Sequence, residues 1–139
     1  MAFSELTGRR IIITGGASGM GESLVRSLTT MGALVVSMDL SSKIGQDIVT
    51  EVGAKKFIEV DVADEGAVTQ AVDVACVCLG GLDVLIHAAG IAPSSPAQDT
   101  SLELWDKIFS VNATGTFLMN RAVFPYLREH GGSIINFAS

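Results

Sequence analysis

The sequence predicts an α/β fold of three layers, in which a doubly wound parallel sheet of five strands, ordered 3-2-1-4-5, lies between helices. Short apolar runs rich in Ile and Val alternate with longer segments of helical period along the 139 residues. These runs are continuous, as in strands that are covered on both faces. Alternating units with short connections indicate parallel strands joined by right-handed crossovers. Because no linker or internal repeat interrupts the pattern, residues 1–139 are predicted to form a single domain.

The strands and helices follow one another in a regular order. The predicted strands are Arg10–Thr14, Leu34–Met38, Phe57–Val60, Leu82–Ile86 and Ser133–Phe137. Apolar residues at helical spacing mark three helices between them, namely Leu24, Val25, Leu28 and Met31; Ile44, Ile48 and Val52; and Val68, Ala71, Val72, Ala75 and Leu79. Gly32 and Gly53 are placed to end the first two helices, and Asp64 is placed to cap the third. A long helix begins near Ser101, and Pro125 is expected to kink or end it.

Composition excludes several classes of protein. With 48% hydrophobic and 17% charged residues, the chain is not predicted to be disordered. The net charge is −6 and the basic residues are scattered, so the sequence predicts no basic patch that would bind nucleic acid or an anionic membrane surface. No apolar window approaches the roughly 18 residues that span a membrane. Met1–Arg10 lacks a secretory signal, so a cytoplasmic location is expected.

The cysteines do not predict a disulfide or a metal site. Cys76 and Cys78 are two residues apart in a helical segment, so their side chains point to different faces. They can neither bridge to each other nor complete a zinc site with the two distant histidines. Both are interpreted as small core residues.

A glycine-rich turn follows the first strand and opens the first helix. Gly15, Gly19 and Gly21 allow positive φ or a close backbone approach, and the helix N-terminus offers free N–H groups to a pyrophosphate. Asp39 closes the second strand, where a carboxylate can accept hydrogen bonds from both ribose hydroxyls of NAD. Alternatively, the glycines form a tight turn that binds nothing, and Asp39 is a cap or a solvated side chain. The joint pattern favours a dinucleotide-binding Rossmann domain.

The type of nicotinamide cofactor follows from charge. The Asp39 carboxylate would repel the 2′-phosphate of NADP, and the glycine-rich turn contains no Lys or Arg to offset it. The residues that follow Asp39 are Leu40, Ser41 and Ser42, which carry no charge either. NAD is therefore predicted in preference to NADP.

Five motifs occur in a fixed order along the chain. They are Gly15-x-x-x-Gly19-x-Gly21, Asp61-Val62, His87-Ala88-Ala89-Gly90, Val111-Asn112-Ala113-Thr114-Gly115 and Ser133–Ser139. In this order and spacing the chain resembles the short-chain dehydrogenase/reductase family over its whole length. Together with the glycine-rich turn, the resemblance assigns to the cofactor Gly15, Ser18, Gly19, Met20, Gly21, Asp39, Leu40, Asp61, Val62, Ala88, Ala89 and Gly90.

The resemblance also implies an activity. Members of the family are oxidoreductases that interconvert a secondary alcohol and a ketone by hydride transfer, without a metal. Ser139 corresponds to the serine that bonds the substrate carbonyl, and Asn112 to the catalytic asparagine, whose carbonyl is linked to a water relay. Asn112 is expected to be buried within its helix, beside a polar partner. The substrate is a small molecule that the sequence does not identify. A homodimer or homotetramer through the helix at residues 101–128 is implied.

The sequence departs from the family at two points. His87 stands in place of an asparagine and is expected to tie the fourth strand to its neighbour. The family's proton-transfer motif, Tyr-x-x-x-Lys, does not occur, and the only tyrosine is Tyr126. We therefore expect a fragment that lacks the C-terminal strands and helices and that binds cofactor without activity. An open edge on the fifth strand and an exposed face on the Trp105–Phe124 helix would accompany it. The alternative is a non-catalytic nucleotide-binding or interaction module that ends naturally at Ser139.

Overall fold

A five-stranded parallel sheet forms the centre of the computed structural model, which describes residues 5–138 of the chain. The strands are β1 (Arg10–Thr14), β2 (Leu34–Asp39), β3 (Lys56–Glu59), β4 (Val84–His87) and β5 (Ser133–Asn136). Their spatial order is β3-β2-β1-β4-β5, and every neighbouring pair is parallel. The predicted fold class and strand order are confirmed, with strand bounds that differ from the predicted ones by at most two residues.

Helices cover both faces of this sheet. They are α1 (Gly19–Thr30), α2 (Ser42–Val52), α3 (Glu65–Leu79), α4 (Leu102–Phe109) and α5 (Gly115–Arg128), and a short 3₁₀ turn at Ala97–Asp99 precedes α4. The predicted signals at the helix ends are confirmed. Gly53 ends α2 with a φ of 76°, and the Asp64 side chain accepts a 2.9 Å hydrogen bond from the Ala67 N–H at the start of α3.

Strand β1 shows why the apolar runs are continuous. Ile11 and Ile13 pack in one core with Val25 of α1, whereas Ile12 packs in the opposite core with Met119 of α5. Successive side chains of a strand point to opposite faces, so a strand with helices on both sides needs an apolar residue at every position.

The long fourth helix differs from the prediction. A π-helical turn, Ser110–Thr114, separates α4 from α5, and no sequence signal pointed to it. Pro125 lies inside α5, which continues to Arg128. Of the two expected effects, an end of the helix at Pro125 is wrong, and a kink there stays a prediction. Pro125 and Arg121, the residue four positions earlier, are both exposed. The carbonyl that loses its N–H partner therefore lies on the solvent side of the helix, where the loss costs least.

Strand β5 lies at one edge of the sheet and is exposed along its length. Among residues 5–138 it pairs only with β4, and Ile134 and Ile135 are exposed. Trp105, Phe109, Phe117 and Phe124 also each leave about half of their surface exposed along α4 and α5. The open edge and the exposed aromatic face agree with expectation.

Cys76 and Cys78 both lie on α3. Cys76 is buried and Cys78 is exposed, so the two do point to different faces. The interpretation of Cys78 as a core residue is wrong, because only one face of α3 packs on the sheet. Within residues 5–138, no helix combines the length and the apolar character that crossing a membrane requires.

Candidate functional site

A cavity of about 310 Å³ opens at the carboxyl ends of the central strands. Ligands of open α/β sheets bind at this end, beside the point where the strand order reverses. Here that point lies between β1 and β4. All twelve residues assigned to the cofactor line the cavity, namely Gly15, Ser18, Gly19, Met20, Gly21, Asp39, Leu40, Asp61, Val62, Ala88, Ala89 and Gly90. The structure therefore brings together residues that lie at or just after the carboxyl ends of four strands, and their role in binding stays a prediction.

Glycine is required where the turn after β1 is most crowded. Gly15 has a φ of 69°, and a Cβ atom there would lie 2.8 Å from the backbone nitrogen of Ala89. A Cβ atom at Gly21 would overlap the carbonyl oxygen of Gly15. By contrast, Gly19 has a φ of 55°, and no atom lies within 4 Å of the place where its Cβ would be. Two glycines thus hold the turn closed, and the third leaves open space beside the cavity.

The N-terminus of α1 faces this open space. The N-cap residue, Ser18, makes no side-chain hydrogen bond to the first turn. Consequently the N–H groups of Gly19, Met20 and Gly21 have no intrahelical partner, while all three residues line the cavity. Such a helix end binds phosphate through free N–H groups and a favourable dipole. The turn therefore fits the pyrophosphate of a dinucleotide.

Asp39 lies at the end of β2 and holds two backbone segments. Its Oδ2 accepts a 3.0 Å hydrogen bond from the Ala17 N–H in the glycine-rich turn, and its Oδ1 accepts a 3.0 Å hydrogen bond from the Ser41 N–H. Each carboxylate oxygen can accept a further bond. The carboxylate can therefore position the turn and still accept hydrogen bonds from a ribose.

His87 links the ends of β1 and β4. Its Nδ1 lies 2.7 Å from Thr14 Oγ1, which also accepts a 3.1 Å hydrogen bond from the Ala89 N–H. Both side chains are buried, and Nε2 of His87 has no hydrogen-bond partner among the described residues. Burial lowers the pKa of His87 to about 4, so the imidazole is neutral near pH 7. The expected link between neighbouring strands is present.

Asn112 lies in the π turn, and its side chain forms a reciprocal pair of hydrogen bonds with the backbone of Ile91. Its Oδ1 accepts from the Ile91 N–H at 2.8 Å, and its Nδ2 donates to the Ile91 carbonyl at 2.7 Å. The expected polar partner is therefore present. The expectation that Asn112 is buried is wrong, because Asn112 is exposed and lies on the side of the helix that faces the loop after β4.

A second cavity of about 390 Å³ adjoins the first one. Both cavities include Met20 and the Ala88–Ile91 loop, and the second cavity also includes Asn112 and Phe137. Ser139, the other predicted catalytic residue, lies outside the described residues. No group of three or more His, Cys, Asp or Glu side chains within residues 5–138 is arranged to hold a metal ion.

Five residues of the first cavity were missed by sequence reasoning. They are Met38, Val60, Ile91, Lys107 and Val111. Met38, Val60 and Ile91 adjoin predicted positions, so extending each motif by one residue would have found them. Lys107 and Val111 come from α4 and the π turn, which reach the cavity only through the packing of the helices.

The chain is similar in sequence to known proteins over almost its whole length. The family model described as short chain dehydrogenase matches residues 9–139. The chain is 35% identical over 140 residues to D-threitol dehydrogenase of Mycolicibacterium smegmatis, covering 97% of this chain and 54% of that protein. It is 40% identical over 137 residues to 3-alpha-(or 20-beta)-hydroxysteroid dehydrogenase of Mycobacterium bovis, covering 97% and 53%.

A third similar protein is also a dehydrogenase by name. The chain is 39% identical over 134 residues to cyclopentanol dehydrogenase of Comamonas testosteroni, covering 93% of this chain and 54% of that protein. The chain thus spans about half the length of these curated relatives.

Proposed function

The chain belongs to the short-chain dehydrogenase family, and from that premise we propose that it forms the cofactor-binding part of an NAD(H)-dependent oxidoreductase. The reaction is the interconversion of a secondary alcohol and a ketone by hydride transfer. One observation carries the proposal. The uncapped N-terminus of α1 and the carboxylate of Asp39 lie in the same cavity, where they match the pyrophosphate and the ribose of one dinucleotide.

The cavity accommodates the other parts of the cofactor at either end. Asp61 and Val62 follow β3 and provide a polar and an apolar contact for adenine. The small residues Ala88–Gly90 follow β4 and let the backbone approach the second ribose. The second cavity, which includes Asn112, would receive the nicotinamide. When bound, it would accept or supply the hydride.

NAD(H) is proposed in preference to NADP(H). The Asp39 carboxylate lies where the adenine ribose would bind, so a 2′-phosphate would meet a like charge there. Because Ala17 and Ser41 fix both carboxylate oxygens, the side chain cannot turn away from such a phosphate without losing two hydrogen bonds.

The proposed substrate class is a secondary alcohol or the corresponding ketone. Threitol, hydroxysteroids and cyclopentanol, after which the relatives are named, all contain a secondary hydroxyl group and differ greatly in size. We therefore propose the reacting group and leave the rest of the substrate open.

Two residues are proposed to act on the substrate side. The Ser139 hydroxyl would bond the substrate carbonyl and polarise it. Asn112 would serve through its backbone carbonyl, because its side chain is already paired with Ile91. Hydride transfer also needs a matched proton from a group whose pKa lies near neutrality. The 139 residues contain no Tyr-x-x-x-Lys. This polypeptide alone is proposed to bind cofactor without turnover.

A second copy of the chain is the proposed protein partner. Exposed aromatic residues line α4 and α5, and Trp105 and Phe109 stack with ring centroids 4.7 Å apart. An exposed aromatic row of this kind is typical of an interface. We propose a homodimer or homotetramer through the helix at residues 101–128.

Titration of the 139-residue chain with NADH, followed by nicotinamide fluorescence, tests the proposal. Saturable binding with weaker binding of NADPH is expected, and absence of binding would overturn the cofactor assignment. The same preparation is then incubated with NAD and a panel of secondary alcohols. Formation of NADH above the uncatalysed rate would overturn the proposed inactivity of this polypeptide.

A further inference from the structure

Lys107 is the single cation among the described residues that line the first cavity, the one that also contains Asp39 and the N-terminus of α1. Its position on α4 lies far in sequence from the glycine-rich turn and from Asp39. Two carboxylates, those of Asp39 and Asp61, line the same cavity. Lys107 therefore supplies all of the positive side-chain charge that the described residues place there.

The ordinary structural roles of a helical lysine do not account for Lys107. A lysine in the last turn of a helix commonly stabilises the negative end of the helix dipole. Here α4 passes directly into the π turn and then into α5, so Lys107 is not at a free C-terminus. Lys107 also forms no ion pair with any carboxylate in the described part of the chain. Its ammonium is left available to a ligand.

The neighbours of Lys107 along the helix locate it within the cavity. Val111, one turn later, lines the same cavity. Gly115, a further turn on, packs so closely on Val62 that a Cβ atom there would lie 2.8 Å from the valine side chain. This side of the helix therefore forms the wall next to Asp61 and Val62. Lys107, two turns before Gly115, lines the cavity from this helix together with Asp61 and Val62.

We propose that Lys107 is a cofactor-contact residue whose ammonium lies against the adenine ring of the nucleotide. This inference rests on the proposed function. Adenine offers a cation both an electron-rich face and ring nitrogens that accept hydrogen bonds. The phosphates would lie at the other end of the cavity, beside the first turn of α1. Lys107 consequently acts on the base, and any adenine nucleotide experiences its effect.

The test compares Lys107→Met, which keeps the length of the side chain without its charge, with Lys107→Arg, which keeps the charge. Lys43→Met is the matched control, because Lys43 is an exposed lysine on α2 outside the cavity lining. Binding of NADH is measured by fluorescence. Adenosine, AMP and nicotinamide mononucleotide are then measured as competitors, so that base and phosphate contributions separate.

Lys107→Met should weaken the binding of NADH, AMP and adenosine by about two- to fivefold. This loss equals about 0.5–1 kcal/mol, the range for a cation over an exposed ring. The affinity for nicotinamide mononucleotide should not change. Lys107→Arg and Lys43→Met should bind all four ligands like the unmodified chain. The proposal is supported only if Lys107→Met also loses affinity for adenosine, which carries no phosphate.

Two results would overturn the inference while leaving the proposed function intact. One is unchanged binding of adenosine and AMP by Lys107→Met. The other is an equal loss for AMP and nicotinamide mononucleotide, which would show that the charge acts on phosphate. If the unmodified chain bound neither NADH nor AMP, the proposed function would fail, and this inference with it.

Discussion

The Tyr126 hydroxyl donates a 2.6 Å hydrogen bond to Oδ1 of Asp73 and so joins α5 to α3. This bond raises the pKa of Tyr126 to about 12. A catalytic proton donor needs the opposite shift, toward neutrality. The only tyrosine of the chain therefore has a structural contact on the outer surface, and it does not substitute for the tyrosine of the family motif.

Replacing Tyr126 tests this interpretation. Tyr126→Phe should lower the free energy of unfolding by less than about 1 kcal/mol, because the hydrogen bond is exposed to solvent. NADH affinity should not change, since Tyr126 does not line the site cavity. Urea unfolding and an NADH titration measure the two quantities. Loss of NADH binding in a folded variant would contradict the assignment.

The buried His87 predicts a dependence of stability on pH. Its pKa is about 4 in the folded chain and near 6.5 when unfolded, so the unfolded state binds more protons between these values. Stability should be full above pH 6.5 and fall as the pH is lowered toward 4. Between pH 7 and pH 5 the loss from this residue is about 2 kcal/mol.

His87→Asn provides the matched measurement, because asparagine keeps a polar side chain that does not titrate. Urea unfolding of both proteins at pH 7 and pH 5 isolates the contribution of His87 from that of the carboxylates. The variant should lose about 2 kcal/mol less than the unmodified chain over this interval. Equal losses in the two proteins would show that His87 is not buried in its neutral form.

The crowding of the glycine-rich turn predicts that alanine destabilises the fold at Gly21 and does not do so at Gly66. In Gly21→Ala the new methyl group would overlap the Gly15 carbonyl, so the turn must shift at a cost of about 1–3 kcal/mol. In the control, Gly66→Ala, the nearest atom is Asp64 Oδ1 at 3.5 Å, within a helix that alanine favours. Thermal unfolding should show Gly21→Ala destabilised and Gly66→Ala unchanged or stabilised by up to about 1 kcal/mol. The reverse order would refute the described turn.

The charge of Asp39 predicts the preference for NAD(H). Asp39→Asn removes the repulsion of a 2′-phosphate, and the ratio of the NADPH to the NADH dissociation constant should fall roughly tenfold or more. Asp47→Asn makes the same change of charge on an exposed part of α2 outside the cavity and should leave the ratio unchanged. Fluorescence titration gives both constants. A ratio that is unaltered by Asp39→Asn would show that another feature sets the preference.

Much of the fold and of the cofactor cavity could be predicted because the relevant signals are local. Ile11, Ile12 and Ile13 reveal a strand covered on both sides, and a glycine-rich turn between a strand and a helix marks where a ligand can approach. Asp39 was predictable because the carboxyl ends of parallel strands meet at one edge of the sheet.

The remaining features depend on tertiary packing. The π turn at Ser110–Thr114 has no sequence signature, and it determines the side of the helix on which Asn112 lies, so its burial was mispredicted. Lys107 of α4 lines the same cavity as Asp61 and Val62 after β3, a relationship between segments far apart in the chain. The two cysteines share one helix, and the packing of that helix decides which of them is buried.

The central claim, that the cavity at the strand ends binds a nicotinamide dinucleotide, is tested most directly by an NMR titration of the ¹⁵N-labelled chain with NADH. We predict saturable shifts of the backbone amides in the glycine-rich turn, at Leu40, at Val62 and at Ala88–Ile91. Amides at the opposite end of the sheet, around the Arg10–Asp83 ion pair, should not move. Absence of shifts, or shifts confined to residues outside the cavity, would contradict the account.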